Sequence, residues 1–524
     1  MAITWTYETA FHLLLRAGFG HDGKIDRNSG EAKMVRKLAD MTQVEAVDYL
    51  LDSRPTDRQG PGKTDDDDDY DNFRKLQKWW WDRLAKARRP AYEKMVFFLH
   101  QHFATARLVV NETIYMATQN ALFREFAFGD FRELVKRVNI DPAMLIWLNG
   151  EQNTVTAPNE NYGREVMELF TLGVFDWNGA RNYSQVDVAE AAKILTGWRI
   201  LEDDPHIAPE FRFTSRHHKG VKNVFAPLAS ETPGQNAANL HNEPANAADA
   251  VLGMSEHRRF IDAIFGNGTP GRPPHVDTEG RPTAARFIAR RMWKFFAYDP
   301  DVDVSAGTGQ QDKALIDAMA DAFKGPNPEG QQYNLKTLLR SMMLRDEFYA
   351  DTRRTVKGPV EYVIGGIRML GAKVKPDRKL DLAGIDDPIV GGDGVTARMG
   401  QELLNPPDVF SWRGNLYWIT TQTLLERYEF ADELAFGESG DDIGYKIEKL
   451  LTHFGDVDQN RSVVADHLIR LLIPNPAIIS VNTKNQLIAQ LGAADPINLQ
   501  DSGVQTNVRR TIQLILMSPQ FHVH

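Results

Sequence analysis

The side chains with the types and spacing to do chemistry concentrate in residues 158–199, PNENYGREVMELFTLGVFDWNGARNYSQVDVAEAAKILTGWR. On a helix through the first part, Glu160, Arg164 and Glu168 fall on one face, and Glu165 lies about 60° round the axis from Glu168. From spacing alone, a salt-bridged solvent face is the first reading. A packed polar site beside a strong apolar stripe is the second. His100 and His102, in AYEKMVFFLHQHFATAR, are a further feature. Residues two apart on a straight helix stand about 200° from each other, so one ion cannot take both rings unless the helix ends or distorts there. Taken alone, the pair reads as one core histidine bonded to a backbone carbonyl and one exposed histidine. The turn after residue 175 places Asp176, Asn178, Ser184 and Asp187 at EF-hand positions one, three, nine and twelve. Ala180 at five, Arg181 at the glycine position and Asp at twelve depart from that pattern, so calcium at Asp176–Asp187 is the weaker reading.

The elements that must hold these residues are helical. Tyr162, Val166, Leu169 and Phe170 recur at helical spacing over residues 158–172. Gly173 stands where a left-handed C-cap is wanted, and Ser184 with Asp187 forms a capping-box arrangement for a second helix ending near Gly197. The histidine pair lies on the second of two helices separated at Pro90, and Trp79–Trp81 on the first must point in different directions. Helices are also predicted over 9–18, 30–51, 281–300, 313–323, 335–349 and 358–370, with Pro142 opening another in its first turn. The 281–300 helix carries Arg286, Arg290, Arg291 and Lys294 as a basic side, read as solvated. Residues 211–227 read as short extended pieces around a turn. Residues 54–70, 228–244 and 374–395 read as linker or irregular. The fold class is mainly α: a large, bundle-like assembly of many helices, with long irregular loops and few short strands. A linker composition over 300–311 divides it into an N-terminal region, 1–300, and a C-terminal region, 312–524.

Composition narrows the chemistry. The 524 residues are 42 % hydrophobic with 27 Phe, enough to fill sizeable cores. A net charge of −10 supplies no global field toward nucleic acid or anionic membrane, so no nucleic-acid partner is expected. The absence of cysteine excludes disulfides, thiolate zinc sites, cysteine-bound iron–sulfur clusters and a cysteine nucleophile. No run of eighteen apolar residues appears, so no membrane insertion is expected. The opening MAITWTYETAFHLLLRAGFG lacks a signal-peptide pattern, which fits a cytoplasmic chain or the mature form of an exported one. No nucleophile elbow, P-loop, dinucleotide fingerprint or His-Glu-x-x-His zinc motif occurs.

The run NENYGREVMELFTLG…YSQVDVAEAAKILTGW resembles the signature of the bacterial domain of unknown function 1800 family. HLLLRAGFG, DPAMLIWL and MGQELLNPPDVFSWRGNLYWIT resemble further family segments, so the likeness covers almost the whole chain. In the last segment Trp412, Tyr417 and Trp418 are placed either to line a pocket or to plug a helix bundle. The resemblance also shifts the weight on the histidines. Relatives carry a similar His-x-His-Phe, with Asn where this chain has Gln101. A family segment of the form His-Asp-x-Gly-x-Lys aligns with His217, Gly220 and Lys222, with His218 at the Asp position. With the histidines so weighted, the separate segments together read as a nitrogen-and-oxygen site in which His100, His102 and His217 hold Zn, Mn or Fe. Glu165 and Glu168 would supply catalytic carboxylates, with Arg164 or Glu160 orienting them. The expectation is a metal-dependent enzyme, hydrolase ahead of oxidoreductase, on an unknown substrate. The alternative is a non-catalytic scaffold or a partner in assembly or secretion.

Overall fold

A computed structural model describes residues 3–524 apart from 53–59, 61–68, 201–208, 212–215, 219–221, 226–237, 241–246, 267–273, 302, 304, 306, 351–352, 376–393, 439–440, 442 and 456. Most of the linker read over 54–70, most of the loops read over 228–244 and 374–395, and the matched Gly220 lie outside the described residues. The chain is mainly helical, and its strands form three two-stranded antiparallel ribbons. Trp198–Arg199 pairs with Glu210–Phe211, Lys222–Val224 with Ala238–Leu240, and Lys373–Val374 with Ile443–Gly444.

Local sequence sets many helix boundaries. Ser184 Oγ accepts the Asp187 N–H at 3.2 Å while Asp187 Oδ2 accepts the Ser184 N–H at 2.7 Å, closing the expected reciprocal cap on the Gln185–Ile194 helix. Asp141 caps the helix that Pro142 opens. The helix expected over 30–51 divides into Lys33–Ala39 and Gln43–Leu51, because Thr42 and Glu45 build a capping box in its middle. In the signature stretch, Glu160–Glu165 is α-helical, but Val166–Thr171 widens to a π-helix, which periodicity did not disclose. The Leu172 and Gly173 N–H groups both reach back to the Met167 carbonyl, and Gly173 has φ +74°, as a left-handed terminus requires. Gly307–Lys324 forms one helix, so the residues from Gly307 onward in the expected linker are helical.

Buried apolar side chains from Tyr7 to Phe521 make one contiguous core. The two signature helices pack on each other, Thr283–Phe296 packs on Gly307–Lys324, and Thr421–Phe436 packs on Ser502–Met517. Trp80 and Trp81 are buried, whereas half-buried Trp79 stacks under Arg83 and Arg124. Among the described residues no helix is long and apolar enough to cross a membrane.

Candidate functional site

The Pro90–His102 helix, the Thr283–Phe296 helix and the segment 399–420 enclose a cavity of about 400 Å³. Phe97, Phe98, Phe295, Trp412, Tyr417 and Trp418 give it aromatic walls. The segment 399–420 is held in an uncommon backbone conformation: Leu404, Ser411 and Asn415 have φ of +66°, +65° and +52°. Non-glycine residues in that region cost energy that surrounding contacts must offset, and they cluster at ligand clamps and active sites.

The polar groups lining this space are under-used by the protein itself. Gln101 and Arg291 have no side-chain hydrogen bond or ion pair among the described residues. The buried Ser411 Oγ and His102 Nδ1 have no partner either. His102 Nε2 lies 3.0 Å from the Phe170 carbonyl, which can only accept, so Nε2 carries the proton and Nδ1 presents a bare lone pair. Burial, then the Arg291 charge, push the pKa of His102 down to about 3, so the ring is neutral at physiological pH. Arg291 itself is pulled below the usual arginine range by desolvation and by Arg290, with no anion beside it. Two other charges are matched: Lys294 pairs with Asp299 at 2.6 Å, and Glu361 with Lys94 at 2.7 Å. Arg413 lies over the Tyr417 ring. Positive charge is therefore what the cavity leaves uncompensated.

The residues singled out from sequence occupy three separate settings. His100 accepts the Leu404 N–H at Nε2, 3.2 Å away, and packs against Trp80 and Trp412. Desolvation lowers its pKa to about 3. His102 sits among the rings of Phe98, Phe103, Phe131, Phe170 and Phe287. Both rings are buried, so neither is the exposed member the pair suggested. His217 donates Nδ1–H to the Thr196 carbonyl at 2.8 Å, and its Nε2 faces Glu256 Oε2 at 3.2 Å. Lys222 closes that cluster on Glu256 at 2.7 Å. No group of three or more His, Asp or Glu among the described residues is placed to hold a metal ion.

Glu165 and Glu168 neighbour each other across the α-to-π junction. Glu168 accepts the Tyr183 hydroxyl at 2.7 Å, and Arg164 reaches Gln185, which in turn holds Glu160. Buried Glu165 has no hydrogen-bond partner among the described residues, and desolvation followed by the Glu168 charge raises its pKa to about 7. In the turn behind it, Asp176 Oδ1 accepts the Asn178 and Ala180 N–H groups, Oδ2 binds Thr278, and Asp187 Oδ2 caps Ser184. Those oxygens are engaged by the chain's own donors.

The family described as Protein of unknown function (DUF1800) matches residues 12–523. The chain belongs to this family. Neither the curated proteins nor the solved structures yield a match. In this DUF1800 chain the expected signature is real, yet the under-used polar groups gather around another segment that resembled the family, 399–420.

Sequence reasoning missed Arg291. Its residue type places it on the basic side of its helix, but Phe287 and Phe295 lie four residues either side of it, and that spacing puts the charge within the aromatic stripe. A cation inside such a stripe was the available signal. Two more members of the basic side depart from the solvated reading: buried Arg286 forks onto Asp317 and Asp277, and Arg290 stacks on Trp177, whereas Lys294 is exposed as expected. Ser411 and Gln101 carried no signal.

Proposed function

We propose that this DUF1800 chain binds an organic anion, a carboxylate or phosphate ester with a flat apolar body, in the aromatic cavity. The observation that carries this reading is Arg291. A guanidinium cannot shed its proton, and half-buried Arg291 stands among aromatic side chains with no anion beside it, so a ligand that supplies the charge is favoured there. The aromatic walls suit a planar body. Gln101 and Ser411 can donate to it and fix its orientation, as a few convergent polar groups do in ligand pockets.

The test is calorimetric titration with naphthoate and naphthyl phosphate, against uncharged naphthamide, for the native chain and for Arg291→Met. The expected result is binding of the anions only. Arg291→Met should weaken it about 30-fold, since a charge-assisted hydrogen bond contributes about 2 kcal/mol. Equal binding of naphthamide, or an unchanged affinity in the variant, would refute the proposal. Binding of none of these probes would favour the scaffold or assembly reading.

The metal-dependent hydrolase stands as a second reading, favoured by one atom. His102 Nδ1 is a buried, bare imidazole nitrogen, the commonest kind of transition-metal donor. Its further donors would have to come from the ligand or from water. Elemental analysis of untagged native protein beside His102→Ala separates the two readings. Near-stoichiometric Zn, Mn or Fe, lost in a folded variant, would establish a metal centre there; native protein free of metal after incubation with each ion would remove it.

A further inference from the structure

A second hollow has the opposite character. It encloses about 440 Å³ between the loop 22–33, the end of the Pro359–Met369 helix and the ribbon of Lys373–Val374 with Ile443–Gly444. Its floor is main chain. Gly23 and Gly371 both have positive φ, +66° and +62°, and a methyl group on Gly23 would overlap the Gly371 backbone. Lys373 stands opposite Gly444 in the ribbon, so no side chain faces it across the strands.

The rim is cationic. Arg27, Lys33, Lys373, Lys446 and Lys449 line the hollow, and none has an ion-pair partner among the described residues. The acids nearby are already engaged. Asp22 pairs with Lys24 at 2.6 Å, Asp26 Oδ1 accepts the Asn28 and Ser29 N–H groups, and Glu31 pairs with Arg36 and Arg470. Five cations without an ion pair around one concavity, in a chain whose net charge is −10, make a local field opposite in sign to that of the whole molecule.

We propose that this hollow is a binding site for a small oligophosphate, a compact ligand with several phosphoryl groups in a row. One phosphate would engage only part of the rim, whereas the volume and the spread of cations suit a short chain of them. The glycine floor offers close main-chain approach beneath a cationic rim, so recognition rests on charge-assisted hydrogen bonds. That separates this hollow from the aromatic cavity, where half-buried Arg291 stands among ring-lined walls.

The probe is inorganic tripolyphosphate, titrated at low ionic strength into the full chain and followed by calorimetry, with orthophosphate as comparator. The expected result is saturable binding to one site, tighter than orthophosphate and weakened by salt. The variant Lys33→Gln/Lys373→Gln/Lys449→Gln alters exposed side chains only, and thermal melting verifies that it folds. Its affinity should fall about tenfold or more. A control of equal charge, Lys86→Gln/Lys336→Gln/Lys484→Gln, should keep the native affinity. Absence of saturable binding, orthophosphate binding as tightly as tripolyphosphate, an unchanged affinity in the first variant or an equal loss in the control would each overturn the assignment.

Discussion

Glu165 illustrates how burial, rather than residue type, sets behaviour. Its carboxyl holds its proton up to about pH 7 in the folded chain, whereas an unfolded glutamate releases its proton near pH 4.3. Between those values the folded state binds more protons than the unfolded state, so this group's contribution to stability falls as pH rises through the window. Glu165→Gln keeps the shape and removes the titration. It is expected to stabilise the chain by about 1–2 kcal/mol near pH 8, after allowance for solvent screening, with the gain vanishing below about pH 4. Urea unfolding of both proteins at the two pH values measures this; a gain independent of pH would assign the effect to packing instead. The spacing of Glu165 and Glu168 was legible in the sequence, but the absence of a partner for Glu165 was not. Whether a charge is matched depends on Arg164 turning to Gln185 and Glu168 taking Tyr183, contacts made across the signature's turn. The same holds for Arg291, whose neighbours along the helix were readable and whose missing anion was not.

At the scale of elements, what was legible is what the chain decides locally. Ser184 with Asp187, Pro142 behind Asp141, and Gly173 each act within a few residues, and each boundary follows from its own neighbourhood. Elements fixed by distant partners escaped. The π-helix ends on a Phe170 carbonyl that His102 caps from 68 residues away, and His100 is bonded to Leu404, 304 residues away. No period in the sequence encodes either. The histidine helix is itself tied to its neighbour Thr113–Phe126 by buried Arg124, whose two terminal nitrogens reach Glu93 at 2.8 Å each while Nε reaches Asn120 at 2.9 Å. Arg124→Met leaves the nearly sealed Glu93 carboxylate with Arg83 alone, at 3.3 Å. The expected loss is about 3–5 kcal/mol, because a broken buried pair strands its remaining charge. Adding Glu93→Gln should recover part of that loss. Chemical unfolding of the two single variants and the double variant gives the coupling directly, and a double variant no more stable than Arg124→Met would show that the stranded charge is not the cause.

At the scale of the molecule, the composition that divided the chain near residue 300 competes with contacts that cross that point. Arg16, fully buried in the Tyr7–Ala17 helix, donates to the carbonyls of Phe348, Arg353 and His524. His524 and Thr355 exchange backbone hydrogen bonds at 3.1 and 3.2 Å, which seats Val523 against Val356, Trp412 and Trp418 beside the aromatic cavity. A side chain near the start of the chain thus fastens two segments from its second half, and one apolar core runs through both. Cooperative unfolding follows where no sub-region can lose its contacts without exposing its neighbour's core. The expected behaviour is a single transition, with tryptophan fluorescence and far-UV circular dichroism coinciding. Arg16→Met should move both probes together by about 3 kcal/mol, since it removes the Arg16 donor from the Phe348 and Arg353 carbonyls and the tie to His524. Two separated transitions, with Arg16→Met shifting only one, would instead make residues 1–300 and 312–524 independent folding units.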